Sequence, residues 1–291
     1  KVANAAKVAI GWSVSPASNL PVKIELIRPG GTVSGVANSV ATVNGTGSAT
    51  WTVPTTISGD GFAVRLTATA FPSVTVTSDT FSIVKPTVTL TAPAPGELVA
   101  GQVIPVSWRF SDEASVPVRI ELLRGGSSAG VIATSTATPA SGQGTLNWSV
   151  PLNLAAGSYT IKVSASGLSG VADESDAPST VRLPTVTVTG PVDGSALTVG
   201  STQIITWHLS DNVSAPVRLE LFRAGSSRAL INAAATTKPG GDGTFTWVMP
   251  ASVPAAADYT IRASLVANST VKTESGPMTL TLPTVAVTLT N

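Results

Sequence analysis

The chain has 291 residues, and its 17 Lys and Arg balance 16 Asp and Glu to a formal net charge of +1. Such a balance gives no electrostatic field that would gather nucleic acid or anionic lipid, so we expect neither as a partner. The sequence has no Cys, which excludes disulfides, and no apolar run near the roughly 20 residues that a membrane-spanning helix needs.

The chain is an internal repeat, and dividing 291 residues by three gives 97 per unit. Each unit has a tryptophan at the end of an alternating apolar run, then a six-residue motif of the form PV(K/R)(I/L)EL, then a second tryptophan. A unit of this length fits one immunoglobulin-like sandwich of about 100 residues. The landmarks are Trp12, Trp108 and Trp207; the motifs starting at Pro21, Pro117 and Pro216; and Trp51, Trp148 and Trp247.

The second unit is complete, and its period-2 alternation predicts seven short strands separated by Gly, Pro, Ser and Asp turns. No segment has helical periodicity, so we predict an all-β sandwich. Within the six-residue motif, alternation places Arg119 and Glu121 together on a solvated sheet face. The predicted strands are Thr87–Ala92, Val103–Phe110, Val116–Arg124, Val131–Thr134, Thr145–Val150, Ser158–Ala165 and Ser179–Leu183.

The predicted fold is therefore three tandem immunoglobulin-like β-sandwich domains, the first lacking its first strand, with an extra strand at the C-terminus. Lys1 falls in register with Glu97, so the first unit starts one strand late. Each unit runs into the next through one junction proline, which favours stiff joints. We name the units module 1 (residues 1–85), module 2 (86–183) and module 3 (184–282), followed by a donor strand at 283–291.

A resemblance follows from the order of motifs in modules 2 and 3. A P…G…G segment precedes the first tryptophan, and a G-x-x-x-W-x-V/M-P segment precedes a tyrosine strand, SYTIKVSA at Ser158 and DYTIRASL at Asp258. This order resembles the Ser-Thr-rich domain of fungal GPI-anchored cell-wall proteins, which is similar to the N-terminal domain of yeast β-1,6-glucan-synthesis proteins. The resemblance implies an extracellular immunoglobulin-like sandwich. Module 1 departs from it, because the opening segment is missing and Phe62 replaces the tyrosine.

The sequence gives no sign of an enzyme, a metal site or a cofactor. The single histidine, His208, follows a tryptophan on a predicted strand, where an edge position explains it better than a catalytic base. Asp112 and Asp211 share one repeat position, where turn residues are expected. The denser acidic groups, Asp112 with Glu113 and the set Asp173, Glu174 and Asp176, lack the ligand spacing of a calcium loop, so a weak calcium site at a joint stays the lesser alternative.

Two kinds of association with sugars remain open: binding by tryptophan side chains and covalent attachment of glycans. The six tryptophans could be sugar platforms, but their fixed strand positions favour the core. Glycans are expected as partners only in a host with the machinery to attach them. The sequons begin at Asn44, Asn147, Asn212 and Asn268.

The function we predict is a structural subunit of an extracellular, pilus-like filament, assembled head to tail from copies of this chain. Its last segment, PTVAVTLTN, repeats the phrase that opens modules 2 and 3, so we expect it to complete module 1 of the next molecule. This arrangement resembles strand-donating pilus subunits in logic, without their sequence motifs. The donor residues are Pro283, Val285, Val287 and Leu289; the acceptor groove is expected between Val8, Ile10 and Trp12 on one side and Phe81 and Ile83 on the other.

Two alternatives remain: a rigid stalk fragment of a larger surface adhesin or cell-wall protein, and a carbohydrate-binding accessory module. All three place the chain outside the cell or at its surface. The low charged fraction of 11% and the abundance of Thr, Ser, Ala, Val and Gly favour that location.

Overall fold

The computed structural model describes residues 1–288 and contains β-strands and two short 3₁₀ turns, with no α-helix among these residues. By their contacts these residues divide into two compact parts, called unit 1 and unit 2, which differ from the three sequence repeats named modules. Unit 1 comprises 1–95, 105–147 and 159–178, and unit 2 comprises 96–104, 148–158 and the chain from 179 onward. Module 2 contributes strands to both units, so the boundaries given above for the modules stay a prediction.

The strands follow one plan in the three modules. Those of module 1 are β1 (Val2–Ala3), β2 (Lys7–Ser13), β3 (Val22–Arg28), β4 (Gly31–Val40), β5 (Thr46–Thr52), β6 (Gly59–Ala68), β7 (Thr75–Thr77) and β8 (Phe81–Val84). Those of module 2 are β9 (Val88–Ala92), β10 (Glu97–Val99), β11 (Val103–Phe110), β12 (Val118–Arg124), β13 (Ser127–Thr136), β14 (Gln143–Ser149), β15 (Gly157–Ala165), β16 (Ala172–Glu174) and β17 (Ser179–Arg182). Those of module 3 are β18 (Val186–Gly190), β19 (Ala196–Thr198), β20 (Thr202–Leu209), β21 (Val217–Arg223), β22 (Ser226–Ala235), β23 (Asp242–Val248), β24 (Ala256–Leu265), β25 (Lys272–Glu274) and β26 (Met278–Thr281).

One larger sheet per module is built around the six-residue motif. In module 1 its order is β1-β8-β6-β3-β4, with β7 on β6; in module 3 it is β19-β26-β24-β21-β22, with β25 on β24. The short β1 pairs in parallel with β8, as β10 does with β17 and β19 with β26. The motif strands β3, β12 and β21 therefore lie inside the larger sheets, each between two neighbouring strands that satisfy its backbone groups.

The smaller sheets differ between modules. Module 2 has three strands in the order β14-β11-β9, and module 3 has three in the order β18-β20-β23. Module 1 has two, β2 and β5. The first strand predicted to be missing from module 1 is the counterpart of β9 and β18, and the described residues supply no strand in its place.

The cores form from the inward positions of the alternating strands. In the motif strand of module 2, Val118, Ile120 and Leu122 are buried, while Arg119 and Glu121 face outward and form an ion pair of 2.9 Å. This confirms the face assignment made from alternation. Five of the six tryptophans are buried as predicted. The sixth, Trp12, is only partly buried, although it packs against the module 1 core.

The outer strand of each larger sheet is irregular. The pairings β3–β4, β12–β13 and β21–β22 each contain three shifts of register, at equivalent places along the motif strand. By contrast, β2 pairs with β5 without a shift from Lys7 to Ser13. Bulges of this kind increase the local twist and spoil an edge as a template for further pairing.

The strands predicted for module 2 are all present, with ends that differ by a few residues. The prediction matches β11 residue for residue, whereas β13 (Ser127–Thr136) extends well beyond the predicted Val131–Thr134. Two three-residue strands, β10 and β16, were not predicted, because three residues are too few to show a period.

Candidate acceptor groove and donor segment

Module 1 has an open, largely apolar groove at the place of its missing strand. The groove runs between the C-terminal half of β2 on one side and β6 and β7 on the other, and its volume is about 230 Å³. That volume is below the roughly 300 to 1,000 Å³ of small-molecule pockets, which favours a few aliphatic side chains as its occupant. It is lined by Trp12, Ser13, Val14, Ser15, Leu20, Val22, Leu66, Ala68, Val74, Thr75 and Val76.

In module 2, strand β9 occupies the equivalent place. It pairs with β11 so that Val88 lies opposite Phe110 and Leu90 opposite Trp108. The amide of Leu90 also donates a 2.7 Å hydrogen bond to Asp173 Oδ2 on the far side. Strand β18 does the same in module 3, where Val186 lies opposite Leu209 and Val188 opposite Trp207.

The absence of this strand changes the exposure of the residues that would lie beneath it. Val74 is 58% exposed, whereas its counterparts Val171 and Val271 are 6% and 7% exposed. Trp12 and Leu20 are partly exposed, whereas their counterparts in modules 2 and 3 are buried. Module 1 therefore exposes apolar side chains that the other modules cover.

The structure places only one of the five predicted acceptor residues, Trp12, on this groove. Ile10 and Ile83 are buried in the module 1 core, and Val8 and Phe81 pack against that core. The reason lies in the register of the equivalent sheet, where β9 pairs with the second half of β11 alone. A strand in module 1 would by that register reach only the second half of β2. The free edge of β8 is meanwhile taken by β1.

Several groove residues were not predicted from the sequence, chiefly Val14, Leu20, Leu66 and Val74. A signal for them was present, since each aligns with an apolar residue of modules 2 and 3: Phe110 and Leu209, Val116 and Ala215, Val163 and Ala263, and Val171 and Val271. Val76 stands where module 2 has Asp173, because Val76 pairs with Leu66 as Asp173 pairs with Val163. The groove is accordingly more apolar than the equivalent place in module 2.

The predicted donor segment is exposed as far as the structure describes it. Residues 282–288 form no strand, and Val285 and Val287 are 90% and 84% exposed. Aligned on the junction proline Pro283, these two valines match Val186 and Val188, the core-facing residues of β18. Leu289, the remaining predicted donor residue, lies outside the described residues.

Polar clusters elsewhere have structural explanations. Nδ1 of His208 lies 2.8 Å from Oδ1 of Asp242 on the neighbouring strand, at a half-exposed sheet position. Asp112 and Asp211 both lie in 3₁₀ turns with positive φ, which agrees with their predicted role as turn residues. Among residues 1–288, no group of three or more His, Asp or Glu side chains is arranged to hold a metal ion. That part of the chain also lacks any helix long and apolar enough to span a membrane.

One ionic cluster lies at the junction of modules 2 and 3, inside unit 2. Arg182 Nε donates to Glu97 Oε1 at 2.6 Å, and Arg182 Nη1 donates to Asp211 Oδ2 at 2.8 Å. The hydrogen bonding of Arg182 to Asp211, with a further hydrogen bond from Ser210, lowers the pKa of Asp211 to about 2. The backbone carbonyl of Asp211 accepts a further bond from Gln102 Nε2. The 3₁₀ turn of module 3 is thus bonded to β17 and to the turn between β10 and β11 of module 2.

Comparison with solved structures finds chains of repeated modules at low sequence identity. A titin I9–I11 tandem aligns over 97% of this chain and 94% of its own, at 12% identity and a TM-score of 0.41. A tetra-tandem repeat from the extending region of a large adhesion protein aligns over 95% and 70%, at 17% identity and a TM-score of 0.30. Fibronectin(III)-like modules of Clostridium thermocellum CbhA align over 67% and 92%, at 20% identity and a TM-score of 0.22. No curated protein sequence matches the chain.

A family model, described as the bacterial Ig domain, matches residues 86–163 and 184–281. The two matches together cover more than half of the 291 residues. The family found is a bacterial one, and the resemblance to the Ser-Thr-rich cell-wall domain stays an interpretation of the motifs. The tandem sandwich fold predicted from the repeat is confirmed. The chain belongs to the bacterial Ig domain family.

Proposed function

We propose that this chain is the structural subunit of an extracellular filament in which residues 283–291 of one molecule complete module 1 of the next. The observation that carries the proposal is the groove beside β2, since β9 and β18 fill the same place in modules 2 and 3. The occupant we assign is a second copy of this chain, because its donor segment repeats the sequence phrase of those two strands.

The register of the donated strand follows from modules 2 and 3. Val285 would lie opposite Val14 and Val287 opposite Trp12, as Val88 and Leu90 lie opposite Phe110 and Trp108. Burial of these two valines would contribute about 1.5 to 3 kcal/mol each. Ladder hydrogen bonds to β2 would add about 0.5 to 1.5 kcal/mol apiece, so the joint should dissociate slowly.

The extracellular location is part of the proposal. It is supported by the low charged fraction and by membership of a bacterial Ig domain family. The rival proposal is a stalk segment of a larger surface adhesin or cell-wall protein. In a stalk, a strand of the same polypeptide would cover the groove, and molecules would not exchange strands.

Two variants separate these proposals, each disabling one half of the joint. Deletion of residues 283–291 removes the donor. Val74→Asp disables the acceptor, because the inserted strand would bury an unpaired carboxylate. Val74 is 58% exposed, so this substitution should leave the isolated molecule folded. Wild-type protein should form filaments by negative-stain electron microscopy, and each variant alone should stay monomeric.

Mixing the two variants gives the sharpest result. One intact donor then meets one intact acceptor, so we expect a 1:1 dimer and no filament by size exclusion with light scattering. The control for Val74→Asp is Val248→Asp, at a 66% exposed position away from the groove. A second donor variant, Val287→Asp, changes the inward side of the donor, and its control is Thr288→Asp on the outward side. Filaments from Val74→Asp, or monomers in the mixture, would overturn strand donation.

A further inference from the structure

The two junctions inside the chain show which residues meet where one module follows another. Each junction proline is preceded by a residue that ends its module: Lys85, Leu183 and Leu282. At the first junction, Lys85 Nζ donates a 2.6 Å hydrogen bond to the backbone carbonyl of Ser169 in module 2. At the second, Leu183 packs against the core cluster of module 3. This position therefore contacts the following module at both internal junctions.

At the first junction the receiving element is a tight turn of module 2 that precedes β16, and the same turn precedes β7 in module 1 and β25 in module 3. In the three modules its closing hydrogen bond runs from Val74, Val171 and Val271 to the carbonyls of Phe71, Leu168 and Asn268. The turn of module 2 receives Lys85 at Ser169, next to Leu168. The turn of module 3 donates from Asn268 Nδ2 to the carbonyl of Leu152 in module 2, at 3.1 Å. Both turns contact the preceding module.

Module 1 and module 3 each carry one half of such a contact without its partner. The turn of module 1 presents Phe71, which is 53% exposed, and the end of module 3 presents Leu282, which is 68% exposed. Both side chains are large and apolar, and the turn that holds Phe71 has the same hydrogen-bonded form as the other two. Phe71 and Leu282 are therefore suited to pack on each other, as Lys85 is suited to donate to the carbonyl of Ser169.

We infer that Leu282 of one molecule packs on Phe71 of the next and fixes how the two molecules meet. The inference rests on the proposed function, since it needs the donor segment that follows Leu282 to occupy the groove beside Phe71. It adds a partner surface that strand pairing alone does not require. The occupant is again a second copy of this chain.

Cross-linking in the 1:1 dimer tests the inference separately from strand donation. Leu282→Cys is placed in the Val74→Asp variant and Phe71→Cys in the variant lacking 283–291; the chain has no other Cys to interfere. A short bis-maleimide should then join the two chains. The control replaces Phe71→Cys by Val33→Cys, on β4 beside the Arg28–Gly31 turn at the other end of the same sheet, and should give background yield.

A double-mutant cycle supplies the second readout. Phe71→Ser and Leu282→Ser should each weaken the dimer by roughly tenfold, and together by less than the product of the two losses. If no dimer forms, the proposed function has failed. If the dimer forms but the chains do not cross-link above background, or if the two losses multiply, the Phe71–Leu282 contact is wrong and strand donation stands.

Discussion

A glycine beneath a tryptophan ring is repeated in every module. Trp12, Trp108 and Trp207 each donate from Nε1 to a threonine hydroxyl, at 2.8 to 2.9 Å. A Cβ added at Gly47, Gly144 or Gly243 would overlap the indole of its own module. The glycine therefore sets the depth at which the ring packs, and the threonine sets its orientation.

We expect Gly144→Ala to destabilise the protein by about 1 to 3 kcal/mol, because the added methyl group overpacks against Trp108. Chemical denaturation measures the change. Gly130→Ala is the matched control, since a Cβ at Gly130 meets no atom within 4 Å and its φ is not positive. Equal stability losses for the two variants would contradict the role of the ring, because the reduced freedom of the unfolded chain that both substitutions share would by itself favour the folded state.

Asp211 gives a pH dependence whose sign follows from its low pKa. Its pKa in the folded protein is about 2, below the ordinary value of roughly 3.9. Its contribution to stability is therefore complete above about pH 4 and is lost as the pH falls through about 2. Asp211→Asn should lower the thermal midpoint at pH 5 and change it progressively less towards pH 2. Asparagine also tolerates the positive φ of 61° at this position.

The control for this measurement is Asp112→Asn, in the equivalent turn of module 2. Val84 stands where the other junction has Arg182, so this turn lacks the arginine. A shift at Asp112 with the same size and pH profile would contradict the role given to Arg182.

At the scale of residues, alternation predicted most of the core and the charged face, because both depend on a period that the sequence shows directly. It could not predict that Arg182 meets Asp211, since the two lie in different modules and the pair has no counterpart in the repeat. The groove residues were missed for a related reason. Val74 lies in a turn rather than in a predicted strand, so its burial in the other modules was not visible.

At the scale of elements, the incomplete sheet of module 1 gives a test that does not require filaments. A synthetic peptide of residues 283–291, added to the variant that lacks them, should bind the groove and raise the thermal midpoint of the first unfolding transition. At a concentration 100 times its Kd, the peptide should stabilise by about 2.7 kcal/mol. A peptide carrying Val287→Asp should have no effect. An equal shift with both peptides would indicate binding outside the groove.

That the smaller sheet of module 1 has two strands among the described residues, against three in modules 2 and 3, could be predicted from the repeat. The walls of the groove were only partly predictable, because the matching apolar positions of modules 2 and 3 do not show which of them the third strand covers. Sequence alternation placed Val8 and Ile10 on the correct strand, but the position of the third strand along β2 depends on where β9 pairs with β11. That register is set by packing across the two sheets, which a single strand's sequence does not contain.

At the scale of the whole molecule, the sequence predicted directly that the modules join without linkers. Three residues separate β8 from β9 and β17 from β18, a length that leaves little freedom at either junction. The Arg182 cluster and the packing of Leu183 then fix one junction further. The division into two units that cut through module 2 was not predicted, because the repeat places every boundary at a junction proline.

The irregular pairings of β4, β13 and β22 bear on how the protein behaves when it is crowded. Their register shifts disfavour pairing with a strand of a neighbouring molecule. The regularly paired β2, by contrast, is an edge strand of module 1 that can accept another strand. Under the proposed strand donation, growth through β2 would be favoured over pairing alongside β4, β13 or β22. Concentrated solutions should accordingly form thin single filaments before they form laterally associated bundles.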